Sequence, residues 1–120
     1  MAGTLQVYSY NRCSTCRKAL AWLTERSIPH EVHDITLTPP SKEILVAAHQ
    51  SLGDMKLLFN TSGQSYRAMG AAAVKALSDD EALEALAADG KLIKRPFVEV
   101  NSSTYLTGFK PDLWESAFQG

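Results

Sequence analysis

Residues 5–26 read LQVYSYNRCSTCRKALAWLTER, and this stretch decides the fold. Its first part, 5–10, alternates apolar and polar-tolerant side chains, which predicts a β-strand. Its second part, 14–26, carries an apolar stripe at helical spacing with charged residues on the other side. Pro29 stops that helix, and the alternation resumes over 30–35. The sequence therefore predicts a strand-helix-strand unit with two cysteines where the first strand meets the helix.

The rest of the chain predicts a helical block, a β-hairpin and a last helix. The expected elements are helices over 42–52, 66–77 and 79–90, strands over 97–100 and 105–107, and a helix over 112–118. Ser78 opens the third of these helices with a capping box, and Gly53 suits the left-handed position after the first. Trp114 is expected to be half-buried. We find no repeat or linker, so residues 1–120 are expected to form a single domain.

Composition limits the classes of function. The 120 residues are 45% hydrophobic and 21% charged, which excludes a disordered or collagen-like chain. A net charge of −1 gives no general attraction to nucleic acid or to an anionic membrane, so neither is expected as a direct partner. No apolar run approaches the roughly 18 residues of a membrane span, and no secretory leader is recognisable. A cytoplasmic protein is expected.

The pair Cys13 and Cys16 has two common uses, a zinc site and redox exchange. A structural zinc site needs four ligands, and three histidines are the only other sulfur or imidazole candidates. Two of them, His30 and His33, fall on opposite faces of a predicted strand. No metal site is therefore expected, and a Cys-x-x-Cys beside a β-α-β pattern favours redox chemistry. The alternative is a pair of inert, buried thiols.

The position of the pair assigns different roles to the two sulfurs. Unpaired N–H groups and a positive partial charge at a helix start stabilise a thiolate on Cys13, and Arg12 adds positive charge nearby. Cys13 is therefore the expected nucleophile. Cys16, one turn further on, is the expected resolving thiol, since a spacing of i, i+3 brings the two Cβ atoms within disulfide reach.

Three separated motifs resemble one family. They are NRCSTCRKA at 11–19, LLFNTSGQSYR at 57–67 and KRPF at 94–97. Together they resemble the arsenate reductase (ArsC-like) and Spx family over about residues 4–118, as a two-cysteine member. The resemblance implies an α/β, thioredoxin-like β-α-β…β-β-α fold. In such a fold a helical insertion, about residues 38–93, separates the second strand from Arg95 and Pro96.

The resemblance also implies a site and an activity. A cis bond between Arg95 and Pro96 would lie against the cysteine loop, so Arg12, Arg95 and Pro96 are the expected substrate-binding residues. The implied activity is that of an oxidoreductase which reduces an oxyanion or a disulfide, with glutathione and glutaredoxin or thioredoxin as reductant and no bound cofactor. Asn60 and Lys110 stand where further family arginines would fall.

A second function follows from the same resemblance. Spx-type members look like redox switches that bind the C-terminal domain of the RNA polymerase α subunit, without contacting DNA through a basic face. Gly53 falls near a contact glycine of that branch, although a helix-ending glycine explains it equally well. Arg67 and Lys110 are expected to be surface charges rather than anion ligands. A monomer is expected in either case.

Overall fold

The computed structural model describes residues 4–118 and consists of one mixed β-sheet with helices on both faces. The strands are β1 (Leu5–Ser9), β2 (His30–Asp34), β3 (Phe97–Asn101) and β4 (Thr104–Thr107). The helices are α1 (Ser14–Glu25), α2 (Lys42–Leu52), α3 (Gln64–Met69), α4 (Ala71–Ala76), α5 (Asp79–Ala88) and α6 (Pro111–Phe118). Two 3₁₀ turns, Met55–Leu57 and Gly90–Leu92, complete the helical part between β2 and β3.

The sheet has the strand order β2-β1-β3-β4. β1 lies in the middle, parallel to β2 and antiparallel to β3, so that Val7 is opposite both Val32 and Val98. β3 and β4 form the expected antiparallel hairpin. The strand-helix-strand prediction and the thioredoxin-like α/β class are thereby confirmed.

Each face of the sheet has its own apolar core. On one face Val7 and Val98 pack with side chains of α1 and α6, including Trp22 and Trp114. On the other face Phe97 and its neighbours pack with α2 and α5. Trp114 is only 1% exposed, so the expectation of a half-buried tryptophan is wrong. Its indole lies among the rings of Trp22, Phe109 and Phe118 and donates to the carbonyl oxygen of Gly108 at 3.2 Å.

The prediction of one helix over 66–77 is also wrong. Gly70 adopts a φ of 87° and separates α3 from α4. Such a backbone angle cannot continue a right-handed helix, and only glycine adopts it without strain. The alanine-rich sequence after it starts a new helix instead.

The end of the helical part packs directly on the end of β2. A Cβ atom at Gly90 would lie 1.8 Å from the carbonyl oxygen of Ile35, so only glycine fits here. Beyond it, Phe59 and Ile93 form an isolated β-bridge, and the amide of Lys94 donates to the carbonyl of Leu58 at 2.8 Å. These contacts hold the 58–60 segment beside 92–95. None of the helices within residues 4–118 has the length and apolar character needed to cross a bilayer.

Candidate active site

Cys13 is the N-cap of α1. Its own amide donates to the carbonyl of Tyr10 at 3.0 Å, which closes a tight turn after β1. Its backbone is extended, with φ −94° and ψ 114°, and its Sγ accepts a hydrogen bond from the amide of Cys16 at 3.3 Å. The sulfur thus takes the place of the hydroxyl or carboxylate oxygen that usually caps a helix. It lies on the positive end of the helix and is partly exposed.

Cys16 lies one turn further on and has no exposed surface. Burial raises the pKa of the Cys16 thiol to about 11, and a hydrogen bond between the two thiol side chains adds to the increase. The two sulfurs therefore differ in access to solvent. One faces solvent at a helix terminus, and the other is an enclosed thiol that stays protonated at neutral pH.

Arg95 and Pro96 reach the cysteine turn through the pairing of β3 with β1. The peptide bond between them is cis, as the resemblance implied, and Pro96 is fully buried. The guanidinium of Arg95 lies 5.1 Å from the centre of the Tyr10 ring, a cation–π distance. Since Tyr10 is the first residue of the cysteine turn, this contact keeps the Arg95 side chain near Cys13.

A cavity of about 350 Å³ lies in front of Cys13. Its lining includes Asn60, Ser62, Lys94, Arg95 and Lys110. Arg12, an expected substrate-binding residue, is exposed and does not belong to this lining. Of the expected site residues, the structure thus brings Cys13 and Arg95 to one cavity, with Cys16 and Pro96 buried next to them.

Lys94 is the charged residue of this cavity that was not among the residues considered from the sequence. The aliphatic part of its side chain passes close to Gly108, so that a Cβ atom added to Gly108 would lie 2.9 Å from the Lys94 Cε. Lys110 is exposed, as expected for a surface charge, but it also lines the cavity. Asn60 lines it too, at a position where the resemblance expected an arginine. The place of Lys94 directly before Arg95 in the chain was a usable signal.

The cavity is electropositive although the chain as a whole is nearly neutral. No aspartate or glutamate lines it. In the described part of the chain, the ion pairs involve Arg26 and Lys42, not Lys94, Arg95 or Lys110. Three cations with no carboxylate partner suit an anionic ligand or an ionised sulfur. Within residues 4–118, no three His, Cys, Asp or Glu side chains are grouped closely enough to share a metal ion.

Comparison with protein families gives one match that covers nearly the whole chain. The model of the ArsC family matches residues 8–117. The chain belongs to the ArsC family. YusI of Bacillus subtilis, described as an uncharacterized protein, is 44% identical over 115 residues, covering 93% of this chain and 96% of YusI.

Other members of the ArsC family carry two different descriptions. A solved structure described as a possible arsenate reductase from Streptococcus mutans UA159 superposes with a TM-score of 0.87 at 38% identity, covering 98% of this chain and all of that one. A protein named global transcriptional regulator Spx, from Streptococcus agalactiae, is 27% identical over 101 residues, covering 83% of this chain and 72% of its own length. Family membership is thus compatible with an enzyme and with a regulator.

Proposed function

We propose that this ArsC-family chain is a thiol-disulfide oxidoreductase with Cys13 as nucleophile and Cys16 as resolving thiol. One observation carries the proposal. The Cys13 sulfur caps α1, accepts a hydrogen bond from the Cys16 amide and opens into a cavity with Arg95, while the second thiol is buried directly behind it. An accessible sulfur at a helix N-terminus, with an enclosed partner one turn away, is the arrangement that disulfide exchange requires.

The reaction with a disulfide takes two displacements. The Cys13 thiolate attacks one sulfur of the substrate, forms a mixed disulfide and releases the first thiolate. The Cys16 thiol then attacks the Cys13 sulfur and gives its proton to the second departing thiolate. The substrate gains two electrons from the protein and one proton from Cys16, the first departing thiolate takes its proton from water, and the protein is left with a disulfide between Cys13 and Cys16. Glutathione with glutaredoxin, or thioredoxin, would return the protein to the dithiol.

The raised pKa of Cys16 fits the second of these steps. A thiol with a pKa of about 11 is mostly protonated at neutral pH, so it does not compete with Cys13 for the incoming substrate. Its proton must leave as it attacks, and the departing thiolate is the nearest acceptor. The burial of Cys16 supports the proposed order of events, with Cys13 first and Cys16 second.

An oxyanion is the other substrate class that the site suits. Arg95, Lys94 and Lys110 supply positive charge around Cys13, and Arg95 has the planar fork that binds an oxyanion in bidentate fashion. The description of the Streptococcus mutans relative as a possible arsenate reductase points in the same direction.

The test compares wild type with Cys13→Ser and Cys16→Ser. Arsenate and a small disulfide are each supplied with glutathione and glutaredoxin, and turnover is followed by NADPH consumption through glutathione reductase. We expect turnover above the background of the reductants alone in wild type and none above that background in Cys13→Ser. Cys16→Ser should still form a mixed disulfide, visible by mass spectrometry, without closing an internal one. Turnover in Cys13→Ser equal to that of wild type would refute the proposal.

The similarity to Spx supports a second candidate, a redox-controlled regulator that binds the C-terminal domain of the RNA polymerase α subunit. Gly53, the position considered for that contact, ends α2 with φ 80° and has open space above it. The test is binding of that domain to the dithiol and disulfide forms, measured side by side. Absence of binding in both forms would remove this candidate.

A further inference from the structure

The outer edge of β2 is open. The strand order β2-β1-β3-β4 places β2 and β4 at the two edges of the sheet. Helix α2 packs at the β4 edge, where its Ser51 hydroxyl donates to the carbonyl oxygen of Ser103 at 3.0 Å. On β2 the side chains of Glu31 and Val32 are exposed, the latter by 53%. Among residues 4–118 no strand pairs with the outer side of β2, so this edge can pair with a strand of another chain.

The backbone groups on this edge alternate along β2. The amide of Ile35 donates to the carbonyl oxygen of Ser9 at 2.9 Å, so the backbone of Ile35 is directed toward β1. Because these groups alternate in direction along a strand, the even-numbered residues of β2 have theirs on the outer side. The carbonyl of Asp34 is used by the following turn, where the amide of Thr38 donates to it at 2.8 Å. Val32, at the centre of β2, has both its N–H and its C=O directed away from the sheet.

The side chains of β2 are complementary in charge to an antiparallel copy of the same strand. Residues 30–34 read HEVHD. When two copies run antiparallel with Val32 opposite Val32, His30 of each copy faces Asp34 of the other, and Glu31 faces His33. Every imidazole then lies opposite a carboxylate, which stabilises a strand pair. The two Val32 residues can exchange both backbone hydrogen bonds, because their N–H and C=O groups point outward.

Other registers of the same two strands bring like groups together. Centring the pair on Glu31 places two carboxylates opposite each other, and centring it on His33 does the same with two imidazoles. A shift of one residue places Glu31 opposite Asp34, or His30 opposite His33, and sets outward backbone groups against inward ones. Like charges directly opposite destabilise a strand pair. The register centred on Val32 is therefore the one that the sequence favours.

The two histidines of β2 each have one ring nitrogen bound within the chain. Nδ1 of His30 lies 2.8 Å from the carbonyl oxygen of Ile28, and Nε2 of His33 lies 2.6 Å from Oε1 of Gln6. The ring of His33 is also stacked on that of Tyr8, with centroids 4.8 Å apart. These contacts hold the rings in place. The second nitrogen of each ring is a donor when the imidazole is protonated, so it can bind the carboxylate opposite.

We propose that a second copy of this chain pairs with the open edge of β2, antiparallel and with Val32 opposite Val32. The two four-stranded sheets then form one continuous sheet with two-fold symmetry. This dimer replaces the monomer expected from the sequence. Five paired residues a side form a small interface, so we expect dimers at concentrations on the order of 100 µM and above.

The dimer does not involve the candidate active site. The Cys13 turn follows the carboxyl end of β1, and β1 is parallel to β2. In an antiparallel pair of β2 strands the two Cys13 turns therefore lie toward opposite ends of the joined sheet. Failure of the dimer and failure of the proposed function are thus separate results, since neither depends on the other.

The first measurement is sedimentation velocity of the wild-type protein from about 10 µM to about 1 mM. The buffer is kept near pH 6, where an ordinary histidine is mostly protonated, and contains a phosphine reductant that excludes disulfide-linked dimers. We expect the average mass to rise with concentration from that of one chain toward that of two. A protein that stays monomeric over the whole range would overturn the proposal.

Amide hydrogen exchange locates the interface without a variant. In the dimer the Val32 amide donates to the second copy, so its exchange should slow several-fold between the lowest and the highest concentration. Exchange along β4, at the opposite edge of the sheet, should stay the same. If the protein dimerises and the Val32 amide exchanges at an unchanged rate, the interface lies elsewhere and the proposal is overturned.

Val32→Lys is the disrupting variant, because it places two ammonium groups opposite each other at the two-fold axis. The exposed Val32 side chain can be replaced in the monomer without a buried cavity. The dissociation constant of the dimer should rise at least about tenfold. The matched control is Leu113→Lys, at a side chain of α6 that is 57% exposed, and it should leave the constant as in wild type. Equal constants in the two variants would overturn the proposal.

Glu31→Gln tests the charge pattern. It removes two symmetry-related contacts with His33, each contributing about twofold, so the dissociation constant should rise about fourfold. Glu43→Gln, at an exposed carboxylate in the first turn of α2, is the matched control and should change nothing. A wild-type constant in Glu31→Gln would contradict the register centred on Val32 and overturn the proposal.

Discussion

The cysteine turn and the wall that faces it are built in opposite ways. The turn, residues 10–16, makes its defining hydrogen bonds over three residues of sequence, from Cys13 to Tyr10 and from Cys16 to Cys13. The wall is assembled from three distant segments, 60–62, 94–95 and 107–110, held together by long-range contacts such as the bridge between Phe59 and Ile93. The position of the Cys13 sulfur is thus set by hydrogen bonds between residues close in sequence. The charged side chains around it are brought there by the fold.

The largest expected effect on stability comes from a substitution at Gly90, where the helical part packs on the end of β2. Gly90→Ala would place a Cβ atom 1.8 Å from the backbone oxygen of Ile35, a clash that no side-chain rotation relieves. We expect the free energy of unfolding to fall by about 3 kcal/mol, seen as a drop in Tm of about 10 °C by circular dichroism.

The control for Gly90→Ala is Gly53→Ala. Gly53 has φ 80° but no atom within 4 Å of the added Cβ, so it tests backbone conformation without the clash. It should cost about 1 kcal/mol. Equal costs at the two glycines would contradict the packing of the helical part on the end of β2.

The next effect concerns the two thiols of the turn. With a pKa of about 11 the Cys16 thiol is about 100-fold less ionised at pH 7 than an ordinary thiol with a pKa of 9.0. Because the more basic thiolate is also the more nucleophilic, part of this difference is offset, and iodoacetamide should modify Cys16 at least about tenfold more slowly in the folded chain than in the same chain unfolded in urea, as measured by peptide mass spectrometry. A Cys16 alkylation rate that levels off below pH 9 would contradict the enclosed site.

The same thiol makes stability depend on alkaline pH. Because burial raises the folded pKa above the unfolded one, the neutral thiol favours the folded state fully below about pH 9. This contribution is lost as the pH rises toward 11. Urea unfolding of wild type should weaken over this range more than that of Cys16→Ala, and parallel pH curves for the two proteins would contradict it.

A smaller effect on stability is expected at Gly108, which directly follows β4 and lies under the Lys94 side chain. Gly108 has φ 71°, and an added Cβ would lie 2.9 Å from the flexible end of Lys94. Gly108→Ala should cost about 1 kcal/mol through the backbone and move the Lys94 ammonium from its present place. Tm measures the first consequence, and the rate of oxidation by an anionic disulfide relative to that by a neutral one measures the second. Gly53→Ala, with a similar φ and open space, should change Tm alone.

The smallest effect is expected on the reaction rate, from substitution of Lys110 at the edge of the cavity in front of Cys13. Lys110 is exposed, so its charge is screened and its influence on Cys13 is modest. Lys110→Gln should lower the rate with an anionic aromatic disulfide, relative to a neutral one, about twofold, as followed by absorbance of the released thiolate. Lys56→Gln is the matched control, and an equal change in both variants would show that the effect is not local.

The difference between the local cysteine turn and the wall built from distant segments also decides what the sequence could predict. The strand, the turn and the helix around Cys13 were predictable because their hydrogen bonds and apolar spacing are short-range. Arg95 and Pro96 came from the family resemblance, and the pairing of β3 with β1 explains why they lie beside the turn. Lys94 was missed although it directly precedes Arg95 in the chain, because the crossing of its side chain over Gly108 depends on the fold.

The errors within secondary structure also have physical causes. Helical propensity over 66–77 is high enough to suggest one helix, but the positive φ of Gly70 divides it, and a central glycine was the available signal. Trp114 was expected to be half-buried because its helix is short. The rings of Trp22 on α1, of Phe109 just before α6 and of Phe118 at the end of α6 enclose it instead.

The depth of Cys16 also bears on oxidative damage. Dissolved peroxide can reach the sulfur of Cys13 and not the one enclosed behind it. A sulfenic acid formed on the outer residue can condense with the inner thiol and expel water, which leaves a reducible bond. On the proposed mechanism, this condensation would compete with further oxidation of Cys13 to the sulfinic acid, which is largely irreversible.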